Sequence, residues 1–214
     1  MHIPDGYLSP LTYISGYAIT SPLFIYGIKK TKENLSDDSI PLLSAVTALS
    51  FLAMMLNIPI PGGTSGHIIG TAAIAILFNP WIAFLAISLV LTIQAFIFGD
   101  GGITALAINS FAMGFTASFT GKFIFLFVKK FLNEKTALFL SGWASAVAAS
   151  IVVALVLGIQ PIIASTPSQQ PLFFPFGLDV TIPAIVGSHI IYFGITEGVY
   201  TMIIITFMKK IKSE

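Results

Sequence analysis

The sequence predicts an all-α, polytopic membrane protein with about seven transmembrane helices, its N-terminus outside and its C-terminus inside. Three observations carry this. Apolar residues make up 56% of the chain and charged ones 9%, against roughly 25% charged in soluble domains, and the mean hydropathy is +0.94. The 214 residues have room for six or seven apolar runs of about 20 residues, the length that crosses a bilayer as helix. The lysines cluster where a seven-span arrangement puts them all on one side.

Taken in order, span one runs from Leu8 to Ile28, and Lys29, Lys30 and Lys32 follow it. Span two runs from Pro41 to Asn57, and the loop IPIPGGTSG (58–66) comes next. The third run, His67 to Phe78, is short, about 18 Å if helical. Asn79-Pro80 closes it, because proline disfavours helix in the residue before it. A fourth run covers Trp81 to Phe98 and is broken by Gly99-Asp100-Gly101-Gly102. The fifth goes from Ile103 to Val128 and ends in Lys129-Lys130. The sixth goes from Thr136 to Ile159, and a Pro-rich loop occupies 161–179. The seventh, Ile182 to Met208, ends in Lys209-Lys210. Residues 1–214 are expected to form a single integral membrane domain.

With seven spans, Lys29, Lys30, Lys32, Lys122, Lys129, Lys130, Lys135, Lys209, Lys210 and Lys212 all face the cytoplasm. If the short third run did not cross, the later clusters would lie opposite the first. The loops 1–9, 58–66, 99–102 and 161–180 then share the outer side, with Asp5, Asp100 and Asp179 among them. Small residues recur at helical spacing, as in Gly142-Ala146-Ser150 and Ala117-Gly121, and permit close helix packing. There is no cysteine, which removes disulfides, thiolate metal sites and thiol redox chemistry. The lysines are few and clustered, so no nucleic-acid groove is expected. No cleavable signal precedes the first apolar run, so the N-terminus is expected to remain in place.

That N-terminus, MHIPDGYLS, is the most informative stretch. The α-amine of Met1, the backbone nitrogen of His2 and the His2 imidazole Nδ1 can close a five-membered and a six-membered chelate ring. They fill three corners of a square plane, a nitrogen geometry suited to Ni(II) or Cu(II). Pro4 and Gly6 stiffen and turn the segment behind them. The best fourth donor is His67, after Gly62, Gly63 and Gly66; an interfacial histidine capping a helix is the plainer reading. The amine's ordinary pKa of about 8 implies that metal must displace a proton near neutral pH. Asp100 reads as a turn residue that also attracts cations. Gln94 and Asn109 lie just inside their spans, where they either bond the outer ring nitrogens of the histidines or link helices. His189 and Glu197 lie within span seven, where ionisable groups default to function. His189 is a further metal residue set too deep to ligate directly. Glu197, deeper still, either meets a partner or makes a buried hydrogen bond.

MHIPDGYLSP, PGGTSGH and FGDGGITALAINSFAMG (98–114) resemble the CbiM/NikM family, the substrate-binding membrane components of energy-coupling factor (ECF) transporters for cobalt and nickel. The resemblance covers essentially the whole chain. It implies a seven-helix protein of the cell membrane that holds its metal through the Met1 amine, the His2 nitrogens and His67. It also implies partners: a transmembrane coupling protein, a pair of cytoplasmic ATPases and, in many members, a small accessory membrane protein. The sequence ends at Lys212-Ser213-Glu214, so the accessory part is expected to be separate, unlike in fused members. No G-x-x-x-x-G-K-[ST] loop is present, so this chain is not expected to be an enzyme, and ATP hydrolysis falls to the partners. Deprotonated-amide, all-nitrogen ligation favours nickel, with cobalt the alternative. Cu(II) binds such sites more tightly still, so selection must rest on geometry and availability. An ATP-independent channel or secondary transporter is the other class, but no internal repeat marks one.

Overall fold

The computed structural model describes residues 1–60 and 64–213. Gly62 and Gly63, part of the glycine-rich loop before His67, and the terminal Glu214 lie outside the described residues. The elements are α1 (Pro10–Asn34), α2 (Ile40–Met54), β1 (Ile58–Ile60), β2 (Thr64–Gly66), α3 (Thr71–Leu77), α4 (Pro80–Phe98), α5 (Leu106–Val128), α6 (Glu134–Ile163) and α7 (Leu178–Lys210). The protein is a mostly helical membrane protein. Among the described residues, α2 with the turn before it, α4, α5, α6 and α7 are long and apolar enough to cross a bilayer. α1 is 25 residues long but less apolar.

Local chemistry sets the helix starts. Ser9 caps α1 through a hydrogen bond from the Thr12 amide, with Pro10 in the first turn. Asn79 caps α4 by accepting from Ile82 N at 3.0 Å, ahead of Pro80. Asn133 caps α6 by accepting from Thr136 N at 2.9 Å, so that helix begins two residues before the run that hydropathy marks. Gly99, at φ +66, ends α4.

The third apolar run differs most from the sequence reading. Only seven of its residues are helical, about 10 Å of rise. Residues 67–70 are not helical and follow a two-stranded antiparallel hairpin that pairs Ile58 with Gly66. Gly70 holds φ +78 at the cap of α3, a conformation open to glycine and rare elsewhere. The whole stretch is wrapped in protein: Thr71, Ala72, Ala73, Ile74 and Ala75 are all buried. Such enclosure is what non-helical backbone needs at membrane depth.

α6 is the central packing element. Its small-residue face, which includes Ser141, Gly142, Ser145, Ala146, Ala149 and Ser150, is buried. Ser141 Oγ donates to Gly121 O at 2.7 Å and Ser145 Oγ to Ala117 O at 2.9 Å. The two small-residue patterns in the sequence are therefore the α5–α6 and α6–α7 contacts, with Glu197 O and Thr201 Oγ1 pressed against Gly142. Large apolar side chains on the outer surface of α1, α2 and α7, such as Ile25, Leu52 and Ile203, are suited to lipid.

The helix ends sort into two groups. At one end Glu134 pairs with Lys129 at 2.9 Å and Lys209 at 2.6 Å, and Lys122 Nζ donates to Ile76 O at 3.2 Å. At the other end are the first residues of the chain, the hairpin, the 99–102 loop and the start of α5.

Candidate metal centre

The first nine residues do not trail free. Met1 is wholly buried, its side chain in the apolar core with Met54, Ile69 and Met113. Ile3 and Leu8 are buried in a second cluster with Ile108 and Leu157. Between these anchors the backbone is held by directed bonds. Asn109 Oδ1 accepts from Ile3 N at 3.0 Å and Asn109 Nδ2 donates to Ile3 O at 3.1 Å, as a neighbouring strand would. Gly102 N donates to Ile3 O at 2.9 Å. The Asp5 carboxylate accepts from Ile103 N at 3.1 Å and Thr104 N at 2.8 Å. Behind them, Ser9 N donates to the buried Gln160 Oε1 at 2.9 Å, and Phe174 of the Pro-rich loop packs on Tyr7.

This segment carries its nitrogens to His67. The Met1 amine donates to the Ser65 carbonyl of β2. The His2 and His67 rings stack with centroids 4.5 Å apart and planes 18° from parallel. Both histidines are buried. His67 Nδ1 bonds the Ile68 carbonyl at 3.1 Å, and His67 Nε2 has no partner. Neither ring nitrogen of His2 makes an aligned hydrogen bond, although His2 Nδ1 lies 3.1 Å from Asp100 Oδ1. Unpartnered nitrogens in a buried place are costly unless something fills the role of partner. Among the described residues no three His, Cys, Asp or Glu side chains converge as a metal group. The donors gathered here are two imidazoles and the nitrogens of the chain's first two residues.

A family model described as the cobalt uptake substrate-specific transmembrane region matches residues 2–214. The chain belongs to the CbiM family. Its relatives are metal-transport components, not enzymes. A putative metal transport protein of Methanocaldococcus jannaschii is 41% identical over 215 residues, covering 100% of this chain and 94% of that protein. The probable fused nickel transport protein LarMN of Lactiplantibacillus plantarum is 38% identical, covering 99% of this chain and 65% of its own length. The chain thus spans just under two thirds of that fused relative. A truncated transition metal transporter of known crystal structure superposes with a TM-score of 0.95 at 39% identity, over 98% of this chain and 99% of that one.

In this CbiM-family chain the residues singled out from sequence have different fates. Asp100 stands at the lip, partly exposed, between His2 and Asn57, whose Nδ2 donates to both its oxygens at 3.2 Å. Gln94 is fully buried beside the His2 ring, with its Oε1 unpartnered. Asn109 does neither thing expected of it: it clamps the Ile3 backbone rather than a ring nitrogen or another helix's side chain. His189 is buried, donates from Nδ1 to Ile185 O at 2.7 Å, and leaves Nε2 bare. Gln94 and His189 each open a widened π turn, and Asn109 directly precedes one, a distortion that recurs at functional sites. Asp5, Gln160 and the Ser65 carbonyl were not singled out as site-builders. Only the closeness of Asp5 to the terminus hinted at its part.

Burial also corrects the expected proton balance. Against the opposing charge of Asp100, it pushes the Met1 amine from 8.0 down to about 4, so the docked amine is neutral at pH 7. Burial lowers His2 as well, with Asp100 opposing. An undocked amine binds a proton below pH 8 and the docked one does not until about pH 4. Docking of the metal-free terminus therefore weakens as pH falls through that window, by about 1.4 kcal/mol per unit. Hydrogen–deuterium exchange, corrected for its intrinsic pH dependence, is expected to show the amides of His2, Ile3 and Asp5 losing protection between pH 7.5 and pH 5. Constant protection would show that the amine is not the group being desolvated.

Gly102 is where the terminus lies closest to the 99–102 loop. A Cβ there would overlap Asp5 N and stand 2.7 Å from Pro4 C. Gly102→Ala is expected to push the N-terminal segment off its seat, at about 1–3 kcal/mol of overpacking, and to weaken metal binding at least tenfold while helical content is kept. Circular dichroism with a nickel titration checks this, and wild-type affinity would contradict it.

Proposed function

We propose that this chain is the substrate-binding component of an ATP-driven ECF transporter that imports a transition metal ion, nickel before cobalt. The observation that carries the reading is the buried gathering of the Met1 amine, the His2 imidazole and the unpartnered His67 Nε2. With the His2 backbone nitrogen they make an all-nitrogen set for a square plane, which favours Ni(II) over Co(II). Two relatives named for nickel, LarMN and the fused NikMN of Rhodobacter capsulatus, are 38% and 35% identical. The cobalt transport protein CbiM of Clostridium tetani is 31% identical. The family model's own description, cobalt uptake, keeps cobalt as the second reading.

In this reading residues 1–214 are one membrane domain with seven crossings, in the cell membrane. The third crossing is part extended and part helix. Its support is the path of the chain. Ser65 meets Met1, Thr71 Oγ1 donates to Met113 O, and Ile76 O accepts from Lys122, so the stretch follows α5 from its first turns toward its last. The lysine-rich end is the cytoplasmic one, and the metal set faces outside. A tag within 166–172 is then expected to react with an impermeant reagent in intact cells.

Capture of the ion needs four nitrogens; concentrative transport needs energy this chain does not supply. The expected partners are a transmembrane coupling protein, two cytoplasmic ATPases and, as in many family members, a small accessory membrane protein. Nickel uptake by cells carrying this chain is expected to require active ATPases and to fall to background when their phosphate loops are mutated. Full uptake under those conditions would favour an ATP-independent channel.

A further inference from the structure

Glu197 has a place in the structure that the ligand set does not use. It lies in α7, fully buried, and both carboxylate oxygens are engaged. Oε2 accepts from Ile69 N at 2.6 Å and Oε1 from Gly70 N at 2.8 Å. Those amides belong to the non-helical stretch between β2 and α3, where the backbone has no helical partners of its own. A carboxylate is suited to this duty, since it presents two acceptors to two converging donors.

The stretch that Glu197 holds is the one that aims His67. The His67 ring is bonded through Nδ1 to the Ile68 carbonyl, so the direction of its free Nε2 follows the backbone at 68–70. That backbone follows the carboxylate. The carboxylate in turn is set by the α6–α7 contact: Glu197 O would stand 2.5 Å from a Cβ at Gly142, so no side chain fits between the two helices there. The hydrogen-bonded path therefore runs from α7 through Glu197, the Ile69 and Gly70 amides and the Ile68 carbonyl to His67.

We infer that Glu197 is a positioning residue for metal capture: by clamping the backbone of residues 69–70 it holds His67 Nε2 in line with the nitrogens of the N-terminus. The inference rests on the proposed reading of His67 as a ligand. A group that orients a metal-bound histidine typically contributes 10–100-fold in affinity.

The test is a nickel titration of purified protein against a competing chelator, with the ligand-field absorption of the bound ion recorded alongside. Four variants are compared: Glu197→Gln, Glu197→Asp, His67→Ala and the double variant Glu197→Gln/His67→Ala. Glutamine can accept one amide but turns its NH2 toward the other. Glu197→Gln is expected to weaken nickel binding about 10–100-fold and to shift the absorption band. Glu197→Asp, with the charge kept and the reach shortened, should fall between it and wild type. In the His67→Ala background Glu197→Gln should change the remaining affinity of the N-terminal chelate less than about twofold, because a residue that acts through His67 is not additive with its loss. Full additivity, or an unchanged band and affinity in Glu197→Gln beside a large loss in His67→Ala, would overturn the inference alone. Wild-type affinity in His67→Ala would overturn the ligand reading and this inference with it. Should Glu197→Gln not insert, Glu197→Asp is judged by the same two readouts, single and paired with His67→Ala.

Discussion

One residue placed ahead of Met1, or an acetyl group on it, is expected to remove nickel binding and uptake as completely as His2→Ala does, whereas a C-terminal tag leaves both intact. Two physical reasons combine. The first is chemical: the Met1 nitrogen becomes an amide, and its lone pair is no longer a ready donor. The new amine also stands one residue further from the imidazole, so the chelate rings change size and lose their relation to His67. The second is spatial. Met1 is wholly buried between Met54, Ile69 and Met113, and its nitrogen already meets the Ser65 carbonyl. An added residue must either displace the Met1 side chain, at about 2–5 kcal/mol for a buried methionine, or lift the whole segment from Asn109 and Gly102. Affinity is expected to fall by more than about 100-fold, beyond the range for residues that only orient a ligand. The C-terminus of α7 lies with Glu134 and Lys209 at the opposite end, where a tag touches none of this. Metal content of purified protein and nickel uptake by cells, measured for the extended, acetylated and C-tagged forms, decide the matter. Wild-type transport by the extended form would show that the amine is not a ligand.

His67→Ala is the second large effect. The proposed square plane loses its only donor from outside the first two residues, and the tridentate chelate that remains is open to water. Nickel binding is expected to weaken by more than about 100-fold, more than removal of an orienting residue does. The fold should survive, because the His67 ring makes few polar contacts: a stack on His2 and one bond to its neighbour's carbonyl. Nickel retained after desalting, with circular dichroism and detergent elution profile as controls, reads both sides. Near-normal retention would point to another buried imidazole nitrogen, and His189 Nε2 is the unpartnered one that α7 brings near.

Much of the architecture is legible in the chain because a bilayer leaves few alternatives. Apolar runs of bilayer length must be helices, since backbone groups in lipid have no other partners, and among the described residues Lys122, Lys129 and Lys209 gather at one end of the fold. The caps Ser9 and Asn79 and the prolines beside them are local signals, as is the GDGG break. The small-residue patterns of α5 and α6 correctly mark close contacts because helical spacing alone puts those residues on one face. The same logic explains the third run. Its apolar composition gives it a path through the protein, but composition does not distinguish a helix from an extended stretch enclosed by other helices.

Class, the CbiM/NikM resemblance and the nitrogens proposed as donors are all legible in the residue order, those of Met1 and His2 because chelate ring size is set by covalent order within two residues. What depends on distant parts meeting came from the fold. It gave Asn109 the Ile3 backbone as partner, where the sequence left open the imidazole ring nitrogens or another helix. It made the Met1 amine neutral by burying it, where its isolated pKa implied a proton to displace. It gave Glu197 two backbone amides 127 and 128 residues away. Each of these is a matter of burial and hydrogen-bond partners across the fold, and neither quantity is encoded in the local spacing of residues.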